Sequence, residues 1–277
     1  MANAAQTPVA LTIAGSDSSG GAGIQADLKT FTALGVYGAS VLTALTAQST
    51  RGVTAILSVP AEFVTQQIDA VAGDLRIAAA KTGMLNDRAT VLAVVAGVRR
   101  HALHPLVVDP VMVATSGDML LQPDAVEAVR RDLLPLADVI TPNLAEAARL
   151  LGLPVAADES EMEAQAQALL ALGPMAVLLK GGHGNASEAV DILVTRVAPP
   201  ERLALPRIET ANTHGTGCTL SSAIAALLAR GYELDAAISR AKEYLGAALS
   251  TAPAIGHGAG PLNHGVWSEE CRGRDDG

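Results

Sequence analysis

Short apolar segments that end directly in polar or glycine-containing residues constrain the fold of this chain most strongly. Val9 to Ala14 is the first of them, and it stops at Gly15. The later ones are ASVLTALTA, VTAILSV, AAAKTGML, PLVVDPVM, DVITPN, MAVLLKGG and AVDILVT. Helical periodicity lies between most of these strand candidates, over 24–34, 61–73, 87–100, 123–134, 144–151, 159–171, 218–230 and 235–250. This alternation predicts an α/β fold with a mainly parallel sheet.

Composition supports the same fold class. Apolar residues make up 49% of the 277 residues but aromatic residues only 2%, so the core is built from Ala, Val, Leu and Ile. That inventory is usual in a parallel sheet covered by helices. The length suits one large α/β domain or two small ones. Ligands of such sheets bind beyond the carboxyl ends of the strands, where this sequence has its polar residues.

Charge and cysteine content exclude several classes of protein. The net charge of −9 disfavours non-specific nucleic-acid binding. Residues 30–50 are uncharged, but their threonines, glycines and serines indicate a helix end and a strand rather than a membrane span. Cys218 and Cys271 are too few for a disulfide framework, and the N-terminus has no basic region typical of a signal peptide. We therefore expect a cytoplasmic protein without membrane or nucleic-acid partners.

The segment NTHGTGCTLSSAIAALLARG, residues 212–231, predicts a phosphate site. Its apolar spacing indicates a helix that begins near Cys218 and ends at Gly231. Gly215 and Gly217 let the backbone approach a ligand, and the free N–H groups of a helix N-terminus favour an anion. Cys218 would lie in a field that lowers its thiol pKa, where it is either a base for a substrate hydroxyl or merely a neighbour. The alternative is a tight turn with a small structural cysteine.

A second glycine-rich segment, GSDSSGGAGIQADLK, also joins a strand to a helix. It matches neither the GxxxxGK[ST] nor the GxGxxG pattern, so it is not a known nucleotide loop. Asp17 and Asp27 would place carboxylates near the ligand edge of the sheet, with Asp27 in the first helical turn. An ordinary strand-to-helix loop is the alternative.

Three further strand ends carry charged residues. Asp109 follows the strand in VVDPVM, and Asn143 and Glu146 lie three apart at a helix start. Asp109 and Glu146 can share Mg²⁺, which favours a few carboxylates with water and phosphate. The alternative for Asn143 and Glu146 is a capping box. Lys180, after MAVLL, can neutralise a phosphate or remain a solvated charge.

Taken together, these motifs resemble a known family. The segments AGSDSSGGAGIQADLKTF, DPVMVATSGDMLL, TPNLAEAARLLG, LLKGGH, NTHGTGCTLSSAIAA and GHGAGPLNH occur in the order found in the hydroxymethylpyrimidine/phosphomethylpyrimidine kinases. That family belongs to the ribokinase-like superfamily and acts in thiamin biosynthesis. The resemblance covers roughly residues 8–265 as a single kinase domain, with 1–7 and 266–277 expected to be flexible termini.

The resemblance implies an ATP- and Mg²⁺-dependent kinase. Its substrate would be 4-amino-5-hydroxymethyl-2-methylpyrimidine, phosphorylated first to the monophosphate and then to the pyrophosphate. The implied fold is ribokinase-like, with a central, mainly parallel sheet, helices on both faces and a small β flap. The implied assembly is a homodimer.

The resemblance also implies roles for individual residues. The residues that would carry catalysis are Gly215, Thr216 and Gly217 as an anion hole, Cys218 as the base and Lys180 on the triphosphate. The substrate residues would be Gly15, Asp27, Gln48 and Met84. Lys242 and Asn143 would join Lys180 at the nucleotide, and Asp109 and Glu146 would hold the metal. Most of the superfamily has Asp at the position of Cys218, which leaves the strength of the base open.

Other functions remain possible from the sequence. A pyridoxal or pyridoxamine kinase of the same fold is the nearest, and Gln48 favours the pyrimidine because that branch tends to carry an apolar residue there. A sugar kinase is disfavoured by Cys218. A catalytically inactive ligand sensor is disfavoured by the intact GTGC loop with Lys180 and Asp109.

Overall fold

A computed structural model describes residues 7–113, 120–182 and 187–268. Residues 114–119 of the DPVMVATSGDMLL motif, His183 and Cys271 lie outside the described residues, as do most of the two predicted termini.

Within the described residues, ten strands form two sheets. The large sheet has eight strands in the order β10-β9-β8-β7-β6-β5-β1-β2, and β3 and β4 form a separate two-stranded sheet. In the large sheet, the neighbouring pairs β2-β1, β1-β5, β5-β6, β6-β7 and β7-β8 are parallel. The pairs β8-β9 and β9-β10 are antiparallel. The strands are β1 (Val9–Ala14), β2 (Tyr37–Leu42), β3 (Ala44–Ser49), β4 (Gly52–Ser58), β5 (Ile77–Thr82), β6 (Leu106–Val108), β7 (Val139–Ile140), β8 (Ala176–Lys180), β9 (Glu188–Thr195) and β10 (Glu201–Pro206).

The helices follow the predicted periodicity closely. They are α1 (Gly23–Ala33), α2 (Ala61–Asp74), α3 (Arg88–His101), α4 (Pro123–Ala128), α5 (Leu144–Leu151), α6 (Glu159–Leu170), α7 (Thr216–Ala229) and α8 (Leu234–Ser250). The segment predicted as one helix over 123–134 leaves α geometry after α4 and continues as a π turn over Val129–Leu133. No helix within the described residues is long and apolar enough to cross a membrane.

The two faces of the large sheet bury separate hydrophobic cores. Along β1, Ala10 belongs to one core and Leu11 to the other, and Val107 and Val108 of β6 divide in the same way. This alternation follows from the two-residue period of a strand. Helices α2 to α6 cover one face and α1, α7 and α8 the other, which confirms the predicted architecture.

The small sheet corrects one prediction. The segment ASVLTALTA was predicted as a single strand, but the chain leaves the large sheet at Thr43 and continues as β3 of the small one. At this break the Thr43 amide donates to the Ala14 carbonyl, and its hydroxyl donates to the Met84 carbonyl at 2.6 Å. The amide and hydroxyl of Thr43 are therefore both hydrogen-bonded where the chain changes direction. The β3-β4 hairpin is the predicted small β flap.

Candidate active site

Four of the predicted site residues lie at the carboxyl ends of parallel strands, along one edge of the large sheet. Gly15 follows β1, Met84 follows β5, Asp109 follows β6, and Lys180 ends β8. A side chain on Gly15 would lie 3.0 Å from the Met84 sulfur, so these two residues are in contact as expected for a shared lining. The N-terminus of α7 meets the same edge.

The glycine loop at the N-terminus of α7 has the geometry of an anion site. Gly215 is the N-cap with φ of +87°, and a Cβ there would collide with the Gly21 carbonyl. The first-turn amides of a helix have no carbonyl partner within it, which favours an anion at the start of α7. Of these amides, that of Thr216 also donates to the Thr213 carbonyl at 3.3 Å. A Cβ on Gly217 would lie 3.3 Å from Lys180 Nζ and 3.5 Å from Asp109 Oδ2. The loop therefore faces a lysine and a carboxylate.

Asp109 and Lys180 form a largely buried ion pair. Lys180 Nζ lies 3.1 Å from Asp109 Oδ1, and Asp109 is 2% exposed. Thr141 and Ser221 donate their hydroxyls to the same carboxylate at 3.1 and 3.3 Å. Burial lowers the pKa of Lys180, but Asp109 and Glu146 outweigh it and raise that pKa above its ordinary value. Lys180 is therefore a fixed positive charge beside the loop.

Asn143 and Glu146 form the capping box that the sequence left open. The Asn143 side chain accepts from the Glu146 amide at 2.9 Å, and Glu146 accepts from the Asn143 amide at 2.8 Å. Burial raises the pKa of Glu146 to about 7, with Asp109 adding to the increase and Lys180 opposing it. Capping does not exclude a second role, since a carboxylate has further lone pairs.

Asp109 and Glu146 can supply only part of the ligand set of a Mg²⁺ ion. Among the described residues, no group of three or more His, Cys, Asp or Glu side chains could hold a metal by itself. Asp109 and Glu146 are close enough for their charges to repel, which is why Asp109 raises the pKa of Glu146. A divalent cation relieves that repulsion, and Mg²⁺ is commonly held by one or two carboxylates with water and substrate phosphates. The two carboxylates therefore suit a metal that arrives with a nucleotide.

Cys218 occupies the predicted position, but its expected acidity is wrong. It is the third residue of α7 and is partly buried. Burial raises the pKa of the Cys218 thiol to about 11; Lys81 lowers it, while Asp27 and Asp109 raise it further. The sequence prediction counted the helix N-terminus and omitted this burial and the two carboxylates. The thiol is therefore protonated at neutral pH.

Asp27 is not the accessible ligand group that the sequence led us to expect. Its carboxylate is fully buried and lies 3.0 Å from Nζ of Lys81, which is also fully buried. It also accepts from the hydroxyls of Thr12 and Ser222. Asp27 is thus engaged by Lys81 and two hydroxyls rather than open to a ligand. A lysine within the apolar segment AAAKTGML was the available signal for this pair, and the sequence analysis missed it.

Gln48 and Lys242 lie at two sides of the site. Gln48 is on β3, partly buried, with one terminal atom of its side-chain amide 3.4 Å from Nε2 of His214, the residue before Gly215. Lys242 is on α8, where it forms an ion pair with Asp191 and donates to the Ala189 carbonyl at 3.1 Å. The structure therefore brings Gln48 to the glycine loop and holds the Lys242 ammonium on β9.

Comparison with known proteins identifies the family. The family model described as phosphomethylpyrimidine kinase matches residues 17–263. The chain belongs to the phosphomethylpyrimidine kinase family. It is similar to the hydroxymethylpyrimidine/phosphomethylpyrimidine kinase of Rhizobium meliloti, with 59% identity over 93% of this chain and 97% of the relative. The predicted family and the predicted enzyme class, a kinase, are thereby confirmed.

Two further similarities bear on pathway and fold. The thiamine biosynthesis bifunctional protein ThiED of Geobacter sulfurreducens is 52% identical over 95% of this chain and 54% of its own length. The pyridoxal kinase of Bacillus subtilis, solved as an ADP complex, superposes with a TM-score of 0.87 at 36% identity, covering 94% of this chain and 98% of that one. The identities to the pyrimidine kinases exceed the identity to this pyridoxal kinase, although the folds agree closely.

Proposed function

We propose that this member of the phosphomethylpyrimidine kinase family uses ATP to phosphorylate 4-amino-5-hydroxymethyl-2-methylpyrimidine and then its monophosphate, in thiamin biosynthesis. The observation that carries the proposal is the glycine loop of α7, whose Gly217 faces Lys180 and Asp109 while Cys218 follows in the same turn. An anion site, a fixed cation and a group able to hold a proton are what phosphoryl transfer requires. The proposed cytoplasmic location is where ATP is supplied.

The loop and its neighbours would hold the phosphoryl groups. The amides of Gly215, Thr216 and Gly217 would donate hydrogen bonds to the oxygens of the transferred group, and Lys180 would neutralise charge on the triphosphate. Asn143 lies beside Lys180 through a parallel bridge between their backbones, which supports its proposed place at the nucleotide. Lys242 would reach the nucleotide only by leaving Asp191, so its proposed role is the least direct of these.

Asp109 and Glu146 would hold Mg²⁺ on the phosphate side of the site. The metal supplies neutralisation of the charge on the transferring group when it is bound. Glu146 is only partly ionised near neutral pH in the free protein because burial raises its pKa to about 7. Ionisation of Glu146 would therefore accompany metal binding, since a ligand carboxylate must be deprotonated.

Cys218 would take the proton of the substrate hydroxyl only in its thiolate form. With its pKa raised to about 11 by burial, that form is scarce at neutral pH, and Lys81 is the nearby charge that stabilises it. Phosphoryl transfer depends mainly on positioning and charge neutralisation. The loop amides and Lys180 would therefore contribute more to the rate than the base does.

The substrate would lie against Gly15 and Met84, with Gln48 at its polar edge. An amide side chain offers both a donor and an acceptor, as an aminopyrimidine edge requires. Gln48 and Thr46 share the inner face of the flap, where the Thr46 hydroxyl lies 3.1 Å from the Gln48 side-chain amide. Asp27 would not contact the substrate and would act on this pocket through its ion pair with Lys81.

We also propose a homodimer formed through the outer face of the flap. Leu45 and Leu57 are directly opposite each other in the β3-β4 ladder and are 42% and 67% exposed. Contiguous exposed apolar surface of this kind marks interaction sites.

The test is an ADP-release assay with Mg-ATP, in which each phosphorylated product is identified by mass. The acceptors are the aminopyrimidine alcohol, its monophosphate, pyridoxal and ribose, offered side by side. Turnover of both pyrimidines, with pyridoxal much weaker, is the expected result. Strong pyridoxal turnover without a second phosphorylation would favour the alternative, a pyridoxal or pyridoxamine kinase. Absence of turnover with every acceptor would contradict both and favour a ligand sensor.

A further inference from the structure

A buried histidine-aspartate pair lies against Gln48 and has no part in the proposed phosphoryl transfer. Nε2 of His214 is 2.8 Å from Oδ2 of Asp17 and 3.4 Å from one terminal atom of the Gln48 amide. His214 and Asp17 are 6% and 1% exposed. The pair therefore joins the loop after β1, the loop before α7 and the flap.

The hydrogen-bond partners of Asp17 show that Nε2 of His214 carries a proton. Burial alone would raise the pKa of Asp17, but hydrogen bonds from His214, from the Ser19 hydroxyl and from backbone amides lower it to about 2. Asp17 is therefore ionised and can only accept. Nε2 of His214 must carry a proton, which it donates to Asp17 at 2.8 Å, so it cannot accept a hydrogen bond from Gln48. An amide nitrogen 3.4 Å away would set two donors against each other, whereas an amide oxygen is attracted by the N–H group, so we assign the oxygen to this side.

The other end of the amide leads to the same assignment. The Thr46 hydroxyl oxygen is 2.8 Å from the Ser16 carbonyl oxygen and 3.1 Å from the second terminal atom of the Gln48 amide. A hydroxyl has one proton, and the Ser16 carbonyl can only accept it. Thr46 must then accept from Gln48, so the amide atom on this side is the nitrogen. Two independent neighbours thus demand one orientation of the amide.

We propose that the Asp17–His214 pair is a specificity-determining positioning element that fixes the Gln48 amide, with its oxygen towards His214 and its nitrogen towards Thr46. Gln48 then presents its donor and its acceptor to the substrate in one order only. This inference rests on the proposed function, in which Gln48 binds the pyrimidine ring. His214 and Asp17 act through Gln48 and do not contact the reacting atoms.

A fixed amide can distinguish two closely related rings. In the 4-aminopyrimidine the exocyclic amino group donates and the adjacent ring nitrogen accepts. In the 4-oxo analogue the exocyclic oxygen accepts and the ring nitrogen donates, so the order is reversed. An amide that is free to make a half-turn serves both rings, whereas a fixed one leaves the wrong ring with unpaired polar groups.

The kinetic test compares kcat/KM for these two pyrimidine alcohols in the wild-type protein and in His214→Leu. We expect the wild type to prefer the amino ring and His214→Leu to reduce that preference by roughly tenfold, mainly through KM. His214→Gln keeps a donor for Asp17 and should restore the preference. The matched control is His264→Leu, because His264 is equally buried but contacts Thr219. Its amino-to-oxo ratio should equal that of the wild type.

An equal loss of kcat/KM on both rings in His214→Leu, with the ratio unchanged, would overturn the proposal and leave His214 a purely structural residue. A second measurement needs neither turnover nor a variant. The ¹⁵N shifts of the His214 ring in the wild-type protein at pH 7.5 report which nitrogen carries a proton. A protonated Nε2 supports the assignment, and a bare Nε2 overturns it. If the wild type phosphorylated neither pyrimidine, the proposed function would fail, and the ring shifts alone would decide the amide assignment.

Discussion

Cys218 occupies the position from which the proposed reaction removes a proton, yet its surroundings favour the neutral thiol. Burial, Asp27 and Asp109 all raise its pKa, and Lys81 is the opposing charge. The side-chain pairs around the site join residues far apart in the chain. Asp27 and Lys81 are 54 residues apart, and Asp17 and His214 are 197 apart. The motifs predicted which residues approach the site, but only the folded arrangement shows which of them neutralise each other.

The residue-scale prediction concerns the thiol itself. Because only the thiolate reacts with iodoacetamide, labelling of Cys218 in the free protein should keep accelerating with pH towards a midpoint near 11. The measurement is the alkylation rate from pH 6 upward in a Cys271→Ser background, with Cys218→Ala in the same background as the control. A rate that already levels off by about pH 8 would contradict the burial argument and restore the low pKa that the sequence indicated.

Elements were predicted better than their ends and their junctions. Periodicity located all eight α-helices of the described residues, because most of them bury one apolar face. Helix α7 differs, since it is buried on all sides over residues 219–227. The ASVLTALTA segment was mispredicted because a strand that changes sheets keeps the same apolar pattern, and the turn at Thr43 depends on hydrogen bonds to Ala14 and Met84. Strand β10 was missed because an antiparallel edge strand is only partly buried and carries a weak pattern.

The element-scale prediction concerns the start of α7. Gly215→Ala should abolish most turnover, because the left-handed backbone is strained for Ala and its Cβ would collide with the Gly21 carbonyl. Gly231→Ala is the matched control, since Gly231 has a similar φ of +84° but nothing within 4 Å of an added Cβ. We expect Gly231→Ala to lose only about 1–2 kcal/mol of unfolding free energy and to keep its kcat. Equal kcat in the two variants would argue against a phosphate role for the loop.

At the scale of the whole molecule, the two faces of the flap differ in their surroundings. Its inner face carries Thr46 and Gln48 to the site, whereas Leu45 and Leu57 on the outer face are exposed. The alternation along β3 was visible in the sequence as part of a strand. The sequence did not show which environment each face meets, because that depends on the hairpin lying beside the large sheet rather than within it.

The whole-molecule prediction follows from that outer face. The wild-type protein should have twice the mass of the 28.1 kDa chain in light scattering, and Leu57→Glu should have the mass of the monomer. A buried unpaired charge at an apolar contact costs several kcal/mol, enough to separate an ordinary dimer. Val197→Glu is the control, because Val197 is 91% exposed on the β9-β10 turn. A dimer that persists in Leu57→Glu would place the interface elsewhere, and a monomeric wild type would remove it.

The central claim is that one site performs two successive phosphorylations, and a product time course tests it most directly. The purified protein is given the aminopyrimidine alcohol with excess Mg-ATP, and the products are followed by mass. We predict that the monophosphate appears first and is then consumed to form the pyrophosphate, with two ADP released for each pyrimidine. A monophosphate that accumulates without further conversion, or no phosphorylated pyrimidine at all, would contradict the account.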